Sequence, residues 1–163
     1  MSALGSIHVL LVDDNPNMRA IVAAMLKSVG VGRLTEAEDG AGALEALRRE
    51  AIDIAIVDFR MKPMDGVAFT RAVRNDSPNP YLPVIMMTGH SERSRVTEAR
   101  DAGVTEFVAK PVKAGTLLRR IEAVILRPRA FVRAPGYFGP DRRRTGTRDY
   151  AGPFRRADDP VVG

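Results

Sequence analysis

Five times between residues 7 and 126, a short apolar run of strand character is followed by a segment with apolar residues at helical spacing. This alternation constrains the fold more than any other feature. The strand runs are Ile7–Val12, Leu34–Ala37, Asp53–Val57, Pro83–Met87 and Thr105–Ala109. After the first, Asn15 is placed to cap a helix with Pro16 at its first position, and Met18, Ile21, Val22, Met25, Leu26 and Val29 follow at helical spacing to Gly30. Further helices are expected at 41–50, about 66–74, about 91–101 and 114–126. Near-continuous apolar strands joined by helical crossovers specify a parallel sheet covered on both faces. Right-handed crossovers fit the doubly wound α/β order 2-1-3-4-5.

In such a sheet, ligands sit beyond the carboxyl ends of the strands. The first strand ends in Asp13-Asp14, the third in Asp58, the fourth in Thr88 and the fifth in Lys110, so one pocket collects all five. Any one Asp there reads simply as a turn former or helix cap. Together, three carboxylates repel one another and call for a hard cation such as Mg²⁺. Lys110 adds a point charge and Thr88 a hydroxyl donor. That set suits a phosphoryl group on a carboxylate nucleophile.

Residues 5–127 resemble the receiver domain of two-component response regulators, including the stand-alone chemotaxis type. The motifs that carry the likeness are Leu11-Val12-Asp13-Asp14-Asn15, the run Val57-Asp58-Phe59-Arg60-Met61-Lys62-Pro63-Met64-Asp65-Gly66, Met86-Met87-Thr88-Gly89, and Phe107-Val108-Ala109-Lys110-Pro111. The resemblance implies a flavodoxin-like fold and Asp58 as acceptor of a phosphoryl group from a histidine kinase or phosphotransfer protein. It implies Mg²⁺ held by Asp14, Asp58 and the backbone carbonyl of Arg60, with Asp13 acting through water. It further implies Lys110 on the phosphoryl oxygens, a cis Lys110-Pro111 bond, and a switch in which Thr88 closes on the phosphoryl while the aromatic at 107 turns inward. The output surface would be the face formed by the fourth helix, fifth strand and fifth helix. Phe107 has no phenolic hydroxyl, so packing alone must carry its part. Lys62-Pro63 departs from the usual loop, and Arg60 and His90 flank the expected path of hydrolytic water. His8, on a buried strand, reads as a structural histidine.

Composition divides the chain near residue 128. Residues 1–127 hold 17 Lys+Arg and 16 Asp+Glu, whereas 128–163 hold 8 Arg and 4 Asp, so the tail carries +4 of the net +5. The tail also holds five of the nine aromatic residues, five Pro and five Gly, and is expected to be irregular and too short for a helical DNA-binding domain. It contains a repeat, Tyr-x-Gly-Pro-x-Arg-Arg. Tyr137, Gly139, Pro140, Arg142 and Arg143 form one copy, and Tyr150, Gly152, Pro153, Arg155 and Arg156 the other. Rigid aromatics beside paired arginines suit a short recognition element that docks on a protein, a second copy of this chain or the chain's own body. Stacking on single-stranded nucleic acid is a competing reading, and so is a solvated tail with no specific partner.

The absence of cysteine excludes disulfides and thiolate catalysis, and two histidines exclude a histidine-rich metal cage. No apolar run is long enough to span a membrane, and the N-terminus lacks signal-peptide features, so a cytoplasmic location is expected. The expected function is a stand-alone response regulator that signals through phosphorylation-dependent protein contacts and is not a turnover enzyme. The alternatives are a regulator with a nucleic-acid-binding tail and a Mg²⁺-dependent phosphohydrolase with an Asp nucleophile. The latter usually has a second Asp two residues past the first, where this chain has Arg60.

Overall fold

Strands β1 (His8–Val12), β3 (Ile54–Asp58) and β4 (Val84–Thr88) are buried along their whole length, as unbroken apolar runs require. The computed structural model describes residues 3–142. With β2 (Arg33–Ala37) and β5 (Glu106–Ala109), these strands form one parallel sheet of order β2-β1-β3-β4-β5. The helices are α1 (Pro16–Ser28), α2 (Gly40–Arg49), α3 (Gly66–Asp76), α4 (Val96–Ala102) and α5 (Ala114–Leu126).

Alternate side chains of each central strand serve opposite cores. Leu10, Val12, Val57, Val84 and Met86 pack with Leu47, Phe69, Val73 and Ala99 of α2, α3 and α4. Val9, Leu11, Ile54, Ile56, Ile85 and Met87 pack with Val22, Leu26, Leu117 and Ile121 of α1 and α5. Each fully buried Leu, Ile, Met or Phe contributes roughly 1.5–3 kcal/mol. Most helix starts are set by local chemistry. Asn15 Oδ1 accepts from the Asn17 and Met18 N–H groups, and Asp39 and Asp65 cap α2 and α3 through the N–H groups of Gly42 and Ala68.

Three features differ from the sequence expectation. Ile21, despite its helical spacing, lies half exposed on α1. The segment expected as one helix over 91–101 begins as a 3₁₀ helix, His90–Arg95, and becomes α4 only at Val96. Its first turn is tightened because the Glu92 N–H donates to Gly89 O at 3.1 Å, while the Gly89 N–H donates to Glu92 Oε1 at 2.5 Å.

The third difference lies in the tail. Instead of being irregular throughout, it forms an antiparallel hairpin of β6 (Phe131–Ala134) and β7 (Tyr137–Pro140). Pro135-Gly136 makes the turn, with Gly136 at φ +77°. Arg143, and the second motif copy at Tyr150, Gly152, Pro153, Arg155 and Arg156, lie outside the described residues.

The hairpin packs at the amino end of β4 and β5. Phe131 and Phe138 meet Tyr81 edge-on, with ring centroids 5.1 and 5.5 Å away. Beneath Phe131 lies Arg74, buried at the end of α3. Its guanidinium donates to the carbonyls of Gly103, Pro80 and Leu82, and burial lowers its pKa to about 10. Gly103, which ends α4 at φ +108°, is thereby tied to α3. Among the described residues no helix is long and apolar enough to cross a membrane.

Candidate functional site

The ladder of the sheet carries the expected polar residues to one place. Asp58 ends β3 beside Met87, and Thr88 follows one residue later on β4. The Lys110 N–H donates to Thr88 O at 2.8 Å, which continues the β4–β5 pairing to the end of β5. Lys110-Pro111 is cis, and so is Lys62-Pro63 in the loop after Asp58.

Oxygens of Asp13, Asp14 and Asp58 lie within 4.8 Å of one another. Asp13 and Asp58 are buried and Asp14 is exposed. Lys110 Nζ approaches Asp58 Oδ1 to 2.5 Å. Asp13 Oδ1 accepts the Asn15 N–H at 2.9 Å, but buried Asp13 Oδ2 has no hydrogen-bond partner among the described residues. Burial raises the pKa of both buried aspartates above the usual 3.8. At Asp58 the Lys110 ammonium opposes burial, and at Asp13 the Asn15 N–H does so. One ammonium faces three carboxylates, so negative charge remains in excess. An orphaned buried oxygen within an oxygen-only donor set fits a hard divalent cation.

Arg60, two residues past Asp58, is largely exposed and does not fold over the acidic cluster. Its guanidinium donates to Glu92 Oε2 at 2.8 Å and to Ser91 Oγ at 3.0 Å. Glu92 is buried, and hydrogen bonds from Ser91, Arg60 and the Gly89 N–H hold its pKa down at about 2 despite that burial. The loop after β3 is thus tied to the loop after β4. Sequence reasoning missed Glu92. Its signal was the Gly89-x-x-Glu92 spacing of a reciprocal N-terminal cap.

His90 is exposed, with Nδ1 3.3 Å from Arg93 Nη1. His8 has both ring nitrogens partnered, by Ala51 O at 3.0 Å and Thr35 Oγ1 at 2.7 Å, consistent with a structural histidine.

Phe107 is half buried against the core beside α4, with the Arg100 guanidinium 5.8 Å from its ring. It also lines a cavity of about 110 Å³ with Arg100, Glu106, Arg129, Pro140 and Arg142. The described residues of the first motif copy, Tyr137 to Arg142, have places within the fold. Tyr137 Oη donates to Pro140 O at 2.7 Å, and burial raises the Tyr137 pKa to about 12. Gly139 packs so tightly that a Cβ there would lie 2.6 Å from Tyr137 Oη and 3.1 Å from Gly103 Cα. Arg142 Nη1 pairs with Asp101 at 2.9 Å.

The family model for the response regulator receiver domain matches residues 9–122. The chain belongs to the response regulator receiver family. It is 38% identical over 119 residues to the chemotaxis protein CheY of Pseudomonas aeruginosa, covering 73% of this chain and 96% of that protein. It is 34% identical over 122 residues to chemotaxis protein CheY-3 of Vibrio cholerae, covering 75% and 94% respectively. Among solved structures, Vibrio cholerae CheY4 matches with a TM-score of 0.67 at 31% identity, over 72% of this chain and 98% of that one. The receiver domain of the Pseudomonas aeruginosa sensor histidine kinase PA1611 matches with a TM-score of 0.65 at 32% identity, over 71% and 94%; it is described with a magnesium ion in its active-site cleft. These receiver likenesses extend over about three quarters of the chain, and the family match ends before the hairpin begins. Receivers are signalling proteins of two-component systems, which agrees with the reading as a regulator and not a classical enzyme.

Proposed function

We propose that this receiver is a stand-alone, cytoplasmic response regulator that takes a phosphoryl group onto Asp58 and signals through protein contacts made by α4, β5 and α5. The observation that carries the reading is buried Asp58, held between the Lys110 ammonium and the Asp13–Asp14 pair. An Asp58 carboxylate oxygen attacks the phosphorus of a phosphohistidine, or of a small acyl phosphate, and forms an acyl phosphate. The bond to the donor breaks, and the departing imidazole nitrogen takes its proton from solvent. Lys110 pairs with a phosphoryl oxygen in place of the carboxylate oxygen it now holds. Thr88, the last residue of β4, donates its hydroxyl to another. Slow attack by water on phosphorus returns Asp58 and releases inorganic phosphate.

Asp13, Asp14 and Asp58, with the Arg60 carbonyl, would hold Mg²⁺, which supplies charge neutralisation to the carboxylates and the incoming phosphoryl oxygens. Arg60 and Glu92 set the distance between the two loops over which water must approach, so their pair tunes the lifetime of the acyl phosphate. Arg60 stands where an Asp-nucleophile phosphohydrolase usually has its second Asp, and its pairing with Glu92 gives it a positioning role instead. Incubation with radiolabelled acetyl phosphate and Mg²⁺ tests the proposal. Wild-type protein should take up label in a metal-dependent manner, and Asp58→Asn should remain at background. Equal labelling of Asp58→Asn overturns the assignment.

A further inference from the structure

The last described residues engage α4 and β5, the two elements between which Phe107 lies. Arg129 Nη2 pairs with Glu106, the first residue of β5, at 3.2 Å, and both side chains are largely buried. Thirteen residues further along the chain, Arg142 pairs with Asp101 on α4. The two anchors are joined to each other, because Arg129 Nη1 donates to Asp141 O at 2.9 Å and the Asp141 N–H donates to Ala130 O at 2.7 Å. The hairpin between them is fixed by the Tyr81–Phe131–Phe138 cluster and by Gly139 against Gly103 at the end of α4. A segment clamped this way bridges α4 to β5. The cavity it closes is lined by Phe107 and by Arg100, whose guanidinium lies over the Phe107 ring.

We propose that residues 129–142 form an intramolecular latch that holds α4 at this spacing from β5 with Phe107 facing the cavity, so that hairpin docking and phosphoryl binding at Asp58 oppose each other. The inference rests on Asp58 being the phosphoacceptor and on Phe107 turning inward when Asp58 is modified. If Phe107 turns inward on phosphoryl binding, as the receiver resemblance implies, its ring leaves the Arg100 guanidinium that now lies 5.8 Å from it and α4 shifts relative to β5. A clamp fixed to Asp101 and to Glu106 cannot keep both ion pairs at their present lengths through that movement. Linkage then makes the effect reciprocal: what loosens the latch favours the phosphoryl-bound state, and phosphoryl binding loosens the latch. The target-binding face is accordingly shared with the chain's own appendage, and a downstream protein meets it more fully after release.

The test uses the full-length chain and beryllium fluoride with Mg²⁺ as the phosphoryl mimic. Calorimetric titration compares wild type with Arg142→Gln and Arg129→Gln, with Asp58→Asn as the blank. Each latch variant should bind the mimic about five-fold or more tightly than wild type. Loading wild type with the mimic should speed hydrogen exchange at the Val132 and Gly139 amides. Equal or weaker binding by both variants, with unchanged exchange in the hairpin, overturns the latch while leaving the phosphoacceptor reading intact. Failure of wild type to bind the mimic at all overturns the phosphoacceptor reading and the latch with it. Should one variant fail to fold, the other variant and the exchange measurement on wild type still decide the question.

Discussion

At the carboxyl end of the sheet, Asp13, Asp14 and Asp58 share one ammonium and a buried carboxylate oxygen lacks a partner. At the amino end, buried Arg74 donates to three carbonyls and Arg129 is held by Glu106 and Asp141. The same scaffold thus crowds carboxylates together at one end, and at the other surrounds the guanidinium groups of Arg74 and Arg129 with acceptors, neutral carbonyls for Arg74 and a carboxylate and a carbonyl for Arg129. Concentrating like charges costs stability, and a fold retains such a site where a ligand's charge completes it. Guanidinium groups whose donors are taken up in this way serve to fix the elements that supply the acceptors. The difference separates the residues that act from the residues that hold, and substitutions at the two ends should fail in different ways.

The largest expected effect is at the carboxyl end of the sheet. Asp58→Asn should abolish phosphoryl uptake while leaving the protein folded, as read by labelling and by circular dichroism. The opposite pattern is expected from Arg74→Ala, which takes the Arg74 donors from three carbonyls, two of them buried, and uncovers space beneath Phe131. It should lose ~3 kcal/mol of stability in urea unfolding, with labelling per folded molecule little changed.

Glu92 joins the two behaviours, because it is fully partnered yet ties together the loops that follow Asp58 and Thr88. Glu92→Gln should cost ~2 kcal/mol at pH 7. The folded-state pKa of about 2 lies below the ordinary 4.5. The stabilisation is therefore present above 4.5 and disappears as pH falls through about 2. The gap between wild type and variant in a series of pH-dependent melts should close in that window.

The smallest and most discriminating effect is at Asp13. Its pKa is raised by burial, so the folded state holds the proton more tightly than the unfolded chain. That contribution is full below 3.8 and is lost as pH rises through the folded value. Asp13→Asn should therefore be more stable than wild type by ~1 kcal/mol at pH 7 without Mg²⁺. The advantage should shrink toward pH 4, and it should shrink again when Mg²⁺ is added, because the metal stabilises wild type more. An Asp13→Asn variant less stable than wild type at pH 7 would place this carboxylate among the holding groups.

The five β/α units and the gathering of Asp13, Asp14, Asp58, Thr88 and Lys110 were legible in the sequence. Hydrophobic periodicity sets the strands, and parallel topology brings their ends together whatever the details of packing. The Arg60–Glu92 pair was not legible, because it depends on how two loops approach one another. The hairpin was masked by composition. Arg, Pro and Gly suggested an irregular tail, although Pro135-Gly136 between two short apolar runs is a hairpin signal. Tyr137, Gly139 and Arg142 read as a recognition element and proved to have partners within the described fold. Their receptor is assembled from Gly103 and Asp101 at the end of α4, and nothing in the tail's own sequence names it.

Phosphoryl chemistry at the carboxyl end of the sheet is the central claim, and its product can be trapped. Borohydride reduces an aspartyl phosphate to homoserine, so protein treated with acetyl phosphate and Mg²⁺, then borohydride, can be digested and mapped by mass spectrometry. Homoserine should replace Asp58, should depend on Mg²⁺ and should be absent from the neighbouring Asp13-Asp14 peptide. Homoserine at Asp13 or Asp14, or intact Asp58 in protein that has taken up phosphoryl label, would contradict it.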